Sequence, residues 1–161
     1  MANIYQADEK AIADSAVSGR YAIVVSRYND NITSKLLDGA LGTLQSSGIA
    51  DDQVDVAWVP GAWEIPVVAR QLLGTSNYAA VLCLGCVIRG ETTHDQHINT
   101  QVSNSLGSMA LEFGRPVLFG LLTCNSLEQA IQRSGGRVGN KGEECAAAAL
   151  EMVALLKQLP S

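Results

Sequence analysis

Tyr21-Ala22-Ile23-Val24-Val25-Ser26 is apolar at nearly every position. A run without alternation is covered on both faces, so it predicts a central strand of a parallel sheet. It stops at the turn-like Arg27-Tyr28-Asn29-Asp30. From there apolar residues fall at Ile32, Leu36, Leu37, Ala40, Leu41 and Leu44, the stripe of a helix. Asn29, Asp30 or Asn31 is available as its N-cap and Gly48 as its stop. Val54 to Val59 partly alternates, which suits an edge strand. Pro60-Gly61 is a turn, and Pro66 fits the first turn of a helix running through Val67, Val68 and Leu72 to Gly74.

The third strand is entered at Ala79 and runs through Val81 to Ile88. The stripe Ile98, Val102, Leu106, Met109 and Phe113 predicts a long helix ending near Gly114. Pro116 to Leu122 is the fourth strand, and Asn125 or Ser126 caps a short helix through Ile131. Ser134 to Asn140 is a Gly-rich break before a last helix from Gly142 to Leu159, whose Ala146–Ala149 run has high helix propensity. Asn3 to Ala7 reads as a loose strand or a disordered end, and residues 1–15 as an N-terminal arm on a single domain spanning 1–161. Strands alternating with helices predict an α/β fold with a parallel sheet and right-handed crossovers. Ligands of such sheets bind beyond the C-terminal strand ends, where the strand order switches. Tyr28, Trp63, Glu64, the turn from Arg89 to His94, and Phe119 or the residues just after it are read as following strand ends, converging on that edge.

Charged residues are only 17% of the 161, below the roughly 25% of an average soluble protein, and mean hydropathy is +0.13. No apolar run approaches the ~20 residues of a membrane span. Part of the apolar surface is therefore expected to be covered by other copies of the chain. A net charge of −5 without a basic cluster argues against nucleic acid as a partner. The N-terminus lacks the basic and apolar regions of a secretory signal, so a cytoplasmic protein is expected. Cys83 and Cys86 have Cys-x-x-Cys spacing, but residues three apart on a strand point to opposite faces. They, Cys124 and Cys145 are read as buried free thiols.

The stretch Gly85-Cys86-Val87-Ile88-Arg89-Gly90-Glu91-Thr92-Thr93-His94 ends a buried strand in a polar turn and opens a helix. Unpaired N–H groups and the helix dipole make such a turn an anion site. Arg89, Thr92 and His94 lie within a few residues of it. His94 and His97 have helical His-x-x-His spacing, but no third ligand is evident, and no metal site is assigned.

These residues resemble the 6,7-dimethyl-8-ribityllumazine synthase family. The resemblance is carried by Ser26-Arg27-Tyr28-Asn29, Pro60-Gly61-Ala62-Trp63-Glu64-Ile65-Pro66, the stretch from Gly85 to His94, and Gly139-Asn140-Lys141-Gly142, in that order. Leu127-Glu128-Gln129-Ala130 before Arg133 adds a fifth piece. The resemblance implies a three-layer α/β/α flavodoxin-like sandwich with a four-stranded parallel sheet. It implies condensation of 5-amino-6-(D-ribitylamino)uracil with 3,4-dihydroxy-2-butanone 4-phosphate, without metal or redox cofactor.

It also implies roles. Tyr28 stacks on the pyrimidine. Ala62, Trp63 and Glu64 hold the ribityl chain. Cys86, Val87 and Ile88 read the uracil edge through their backbone, and Phe119 is a further pyrimidine contact. Gly90, Glu91 and Thr92 form the phosphate turn, which Arg133 completes from a neighbouring subunit. Glu91 suits an anion site only if its N–H faces the phosphate and its carboxylate faces water. His94 moves protons. Arg89 is a supporting residue beside the anion turn, and Lys141 supports the Arg133 end of the site. The family commonly places an aromatic after the histidine, where this chain has Asp95, which bears on pH dependence.

Assembly through pentamers, an icosahedral shell of sixty subunits, and a functional link to riboflavin synthase follow from the same resemblance. Asn3–Ala7 of a neighbour is a candidate to cover the second strand. The alternative reading is a non-catalytic flavin-binding, lumazine-binding or shell-forming member of the fold. A signalling receiver would need a carboxylate where Gly85-Cys86 stands, and a flavodoxin a Thr/Ser-rich loop where Arg27-Tyr28-Asn29-Asp30 stands.

Overall fold

In the computed structural model, residues 1–160 are described. Four parallel strands form the sheet, β1 (Tyr21–Ser26), β2 (Val54–Val59), β3 (Ala80–Ile88) and β4 (Val117–Cys124), in the order β2-β1-β3-β4. The intervening helices are α2 (Asp30–Ser46), α3 (Ile65–Gly74), α4 (His94–Phe113), α5 (Leu127–Arg133) and α6 (Lys141–Gln158), preceded by α1 (Glu9–Ala16). The chain is an α/β/α sandwich of the flavodoxin-like kind. No helix among the described residues is long and apolar enough to cross a membrane.

β1 is buried at every position because it lies between β2 and β3 with a helical layer on each face. Tyr21, Ile23 and Val25 pack with Leu36, Ala40 and Leu44 of α2 and Ala146, Ala149 and Val153 of α6. Ala22 and Val24 pack with Ile65, Ala69 and Leu73 of α3 and Val102, Leu106 and Met109 of α4. β2 is the outer strand its alternation predicts, with Val56 and Trp58 exposed. Cys83 and Cys86 fall in opposite cores, and all four cysteines are free and buried.

Residues 3–7 carry no regular structure in the single chain, and two features differ from expectation. One is α1, which falls mostly within the residues read as an arm and is capped by Asp8 Oδ1, which accepts from Ala11 N at 2.7 Å. α1 packs on α6 and buries only Ser15 and Ala16, too little apolar surface to mark the sequence. The Gly-rich break is an antiparallel hairpin, β5 (Ser134–Gly136) and β6 (Gly139–Asn140), with Gly135 and Gly139 at φ 112° and 105°. Such angles strain residues with a Cβ, so composition there reflects backbone geometry.

The hairpin delivers Asn140 as the cap of α6, which begins at Lys141 rather than Gly142. Asn140 Oδ1 accepts from Gly142 N at 2.8 Å and Glu143 N at 3.4 Å, while Nδ2 donates to Lys35 O at 2.9 Å. One buried amide thus caps α6 and ties it to α2. Asn140→Ala removes a cap and leaves the Lys35 carbonyl without that donor. It is expected to cost about 2 kcal/mol, read as a lower urea midpoint with unchanged slope.

Candidate active site

The crossovers diverge at β1 and β3, so the C-terminal ends of these strands leave an opening between the loops. A cleft of about 480 Å³ lies there. Tyr28 comes from the β1–α2 turn, and Gly61, Ala62, Trp63 and Glu64 from the turn before α3. Cys86, Val87 and Ile88 form the β3 side, and Gly90, Thr92, His94, Asp95 and Ile98 complete it from the β3–α4 turn and the start of α4.

Local bonds hold each wall. Arg27 N donates to Val59 O at 2.8 Å and Tyr28 N to Pro60 O at 3.1 Å, fixing the turn after β1 to the turn after β2. Tyr28 is 73% exposed and Trp63 55%, so both rings offer free surface at the mouth. Asn29 has φ 62°, a left-handed conformation that asparagine tolerates better than most residues. It occupies the N-cap position of α2, yet its side chain makes no capping bond. Its Nδ2 donates instead to Cys86 O at 3.0 Å, bracing the end of β3.

Glu64 turns back on its own loop, where Oε2 accepts from Gly61 N at 2.9 Å. Glu64 is therefore half engaged by the turn it follows, leaving Oε1 for a ligand. Cys86 contributes no nucleophile at neutral pH. Burial, reinforced by Cys124, pushes its thiol up to about 12.

His94 is the first residue of α4, and its ring makes no hydrogen bond. Its backbone N–H donates only a long bond to Thr92 Oγ1 at 3.4 Å. Thr93, at the N-cap position, makes no side-chain cap, and the turn from Arg89 to Thr93 is exposed. The positive end of a long helix thus faces an open polar turn.

The cleft does not gather every candidate. Arg89 and Glu91 lie on the same turn without lining it. Lys141 pairs with Glu144 at 3.0 Å beside the hairpin. Arg133 ends α5 and lines a separate cleft with Cys124, Gln132 and Arg137. Phe119 corrects the expectation that it follows a strand end. It is the third residue of β4, paired with Cys83 and 40% exposed on an outer strand. β4 runs on to Cys124, beside Ile88, so at about 3.3 Å per residue Phe119 stands some 16 Å below the edge where the cleft opens.

Gly61, Asn29 and Ile98 were not singled out by sequence reasoning as site residues. The Asn29 bond joins residues with no local signal. Ile98 was read as the start of the α4 stripe, whose first member also faces the cleft.

A model of the 6,7-dimethyl-8-ribityllumazine synthase family matches residues 18–157, from just before β1 to the last turn of α6. That span contains every wall of the cleft, and the chain belongs to the 6,7-dimethyl-8-ribityllumazine synthase family.

Proposed function

We propose that the protein condenses 5-amino-6-(D-ribitylamino)uracil with 3,4-dihydroxy-2-butanone 4-phosphate to give 6,7-dimethyl-8-ribityllumazine, phosphate and water, the penultimate step of riboflavin biosynthesis. The observation that carries this reading is one cleft at the β1–β3 switch, in a chain of this family, lined by Tyr28, the Ala62–Glu64 turn, the end of β3 and His94. Tyr28 stacks on the pyrimidine, where offset rings attract and release water. The turn at Ala62, Trp63 and Glu64 takes the ribityl hydroxyls. Backbone groups of Cys86, Val87 and Ile88 read the uracil edge. Gly90, Glu91 and Thr92 hold the phosphate at the start of α4, where N–H groups and the dipole favour an anion.

The 5-amino nitrogen attacks the ketone carbon, a C–N bond forms, and the carbonyl oxygen leaves as water. Loss of the C3 proton and of phosphate from C4 gives an enol, which tautomerises to a methyl ketone at C3, and the ribitylamino nitrogen closes the ring on that new carbonyl with loss of a second water. His94 accepts and returns protons during these steps, which imidazole does near neutral pH. Holding the two substrates together contributes more than the proton transfers.

Phe119 and Arg133 are both exposed and lie off the chain's own cleft, which supports their serving a neighbouring copy. A guanidinium there supplies paired, charge-assisted bonds to phosphate. Pentamers built on such contacts, closing further into a shell, are the assembly in this reading. Sedimentation should show pentamers or larger particles, and monomers alone at assay concentration would sink the shared site.

The deciding experiment mixes purified protein with both substrates and follows the fluorescent lumazine against a blank without enzyme, since the substrates condense unaided. Clear acceleration over the blank establishes the enzyme. No acceleration by folded, assembled protein would leave a flavin-binding, lumazine-binding or shell protein.

A further inference from the structure

The buried stripe of α4 is Ile98, Val102, Leu106 and Met109. Asp95 stands three residues before Ile98, at the head of this stripe, and it and Asn99 are half-buried while His94 and His97 are exposed. The stripe packs on the Ala62–Glu64 turn and then opens into the cleft, which Asp95 lines. At this point a carboxylate replaces the apolar side chain that the pattern calls for.

Asp95 Oδ1 is closed off from solvent and has no hydrogen-bond partner, and Asn99 Oδ1, one turn further in, is in the same state. The dipole of α4 favours a carboxylate in its first turn, but it supplies no donor to the occluded oxygen. Leaving such an acceptor unpaired is costly, and more so when it is charged. Across the cleft, Glu64 has one oxygen engaged by Gly61. No lysine or arginine lines the cleft. Asn99 lies outside the cleft lining and the closed-off Oδ1 is out of a ligand's reach, so the acceptor that Asp95 offers the cleft is Oδ2, which is not closed off and which no protein group bonds.

Resting on that function, we infer that Asp95 is a further specificity-determining residue, whose carboxylate accepts a hydrogen bond from a hydroxyl of the ligand's sugar-alcohol chain opposite Glu64. Asp95 and Glu64 then grip the chain from two sides. A site built for hydroxyl donors rejects an analogue that lacks them, because its acceptors stay unpaired.

The test titrates the assembled protein with two fluorescent probes, 6,7-dimethyl-8-ribityllumazine and 6,7,8-trimethyllumazine, which share the ring and differ in the polyol. Wild type should prefer the ribityl compound. Asp95→Ala should lower that preference by about tenfold or more, the scale of one hydrogen bond to a charged group, with affinity for the trimethyl compound unchanged. Asp95→Asn keeps an acceptor and the shape, so it should lose less and guards against a folding defect in the alanine variant. An unchanged preference in both variants, or equal loss for both probes, would overturn the role of Asp95 alone. A wild type that binds neither lumazine would overturn the function as well.

Discussion

His94→Ala should slow lumazine formation by about 10²- to 10⁴-fold, the usual worth of a positioned acid–base group, without lowering the melting temperature. The two halves have separate grounds. The His94 ring is exposed and makes no hydrogen bond, so folding does not depend on it. Alanine in the first turn of α4 has the higher helix propensity. The loss should appear in kcat with KM nearly unchanged, because the ring acts on protons in flight more than on bound substrate. The residual rate should still exceed the blank, since Tyr28, the Ala62–Glu64 turn and the Gly90–Thr92 turn still orient the reactants. An unaltered rate would remove His94 from the chemistry, and a lowered melting temperature would assign it a structural part instead.

Gly142→Ala should destabilise the chain by about 3 kcal/mol, the upper part of the range for overpacked cores. A Cβ at position 142 would stand 1.8 Å from the Leu36 carbonyl oxygen and 2.7 Å from its carbon. Both obstructing atoms are backbone, so no side chain can swing aside. α2 and α6 would have to separate where Asn140 links them through Lys35 O. The melting temperature should fall by roughly 10 °C for a chain of this length. Gly107→Ala on α4 is the control, since a Cβ there meets nothing within 4 Å, and it should be neutral or slightly stabilising. A loss at position 142 no larger than at position 107 would show that the helices are free to part.

The sequence made some of this arrangement legible and hid the rest for physical reasons. β1 and β3 could be read because burial on both faces leaves an unbroken apolar run, whereas β2, at the edge of the sheet, leaves even its apolar Val56 and Trp58 exposed. The β5–β6 hairpin left no apolar pattern, since glycine conformation and backbone pairing make it. Phe119 stands further from the edge than the pattern implies because the apolar run ends at Leu122, two residues before β4 does, and alternation does not reveal distance along a strand. The pattern offers Asn29, Asp30 or Asn31 as the cap of α2; Asn29 takes the N-cap position, but its amide bonds Cys86 on β3, which only the folded sheet brings near. Asp95 carried an available signal, its phase three residues ahead of Ile98, but phase alone does not say that an oxygen there lacks a partner.

The bond from Asn29 to Cys86 also has a bearing on the order of folding. The turn after β1 is finished only when β3 has docked beside it, and β3 is separated from β1 by α2, β2 and α3. Parallel pairings of this separation are among the slower events in folding, because loop-closure entropy is lost before any contact is gained. The cleft is therefore a late product of the folding reaction. A chain that has collapsed around β1 and β2 alone has no pocket to fill, so ligand added during refolding should bind only after that step and leave its rate unchanged.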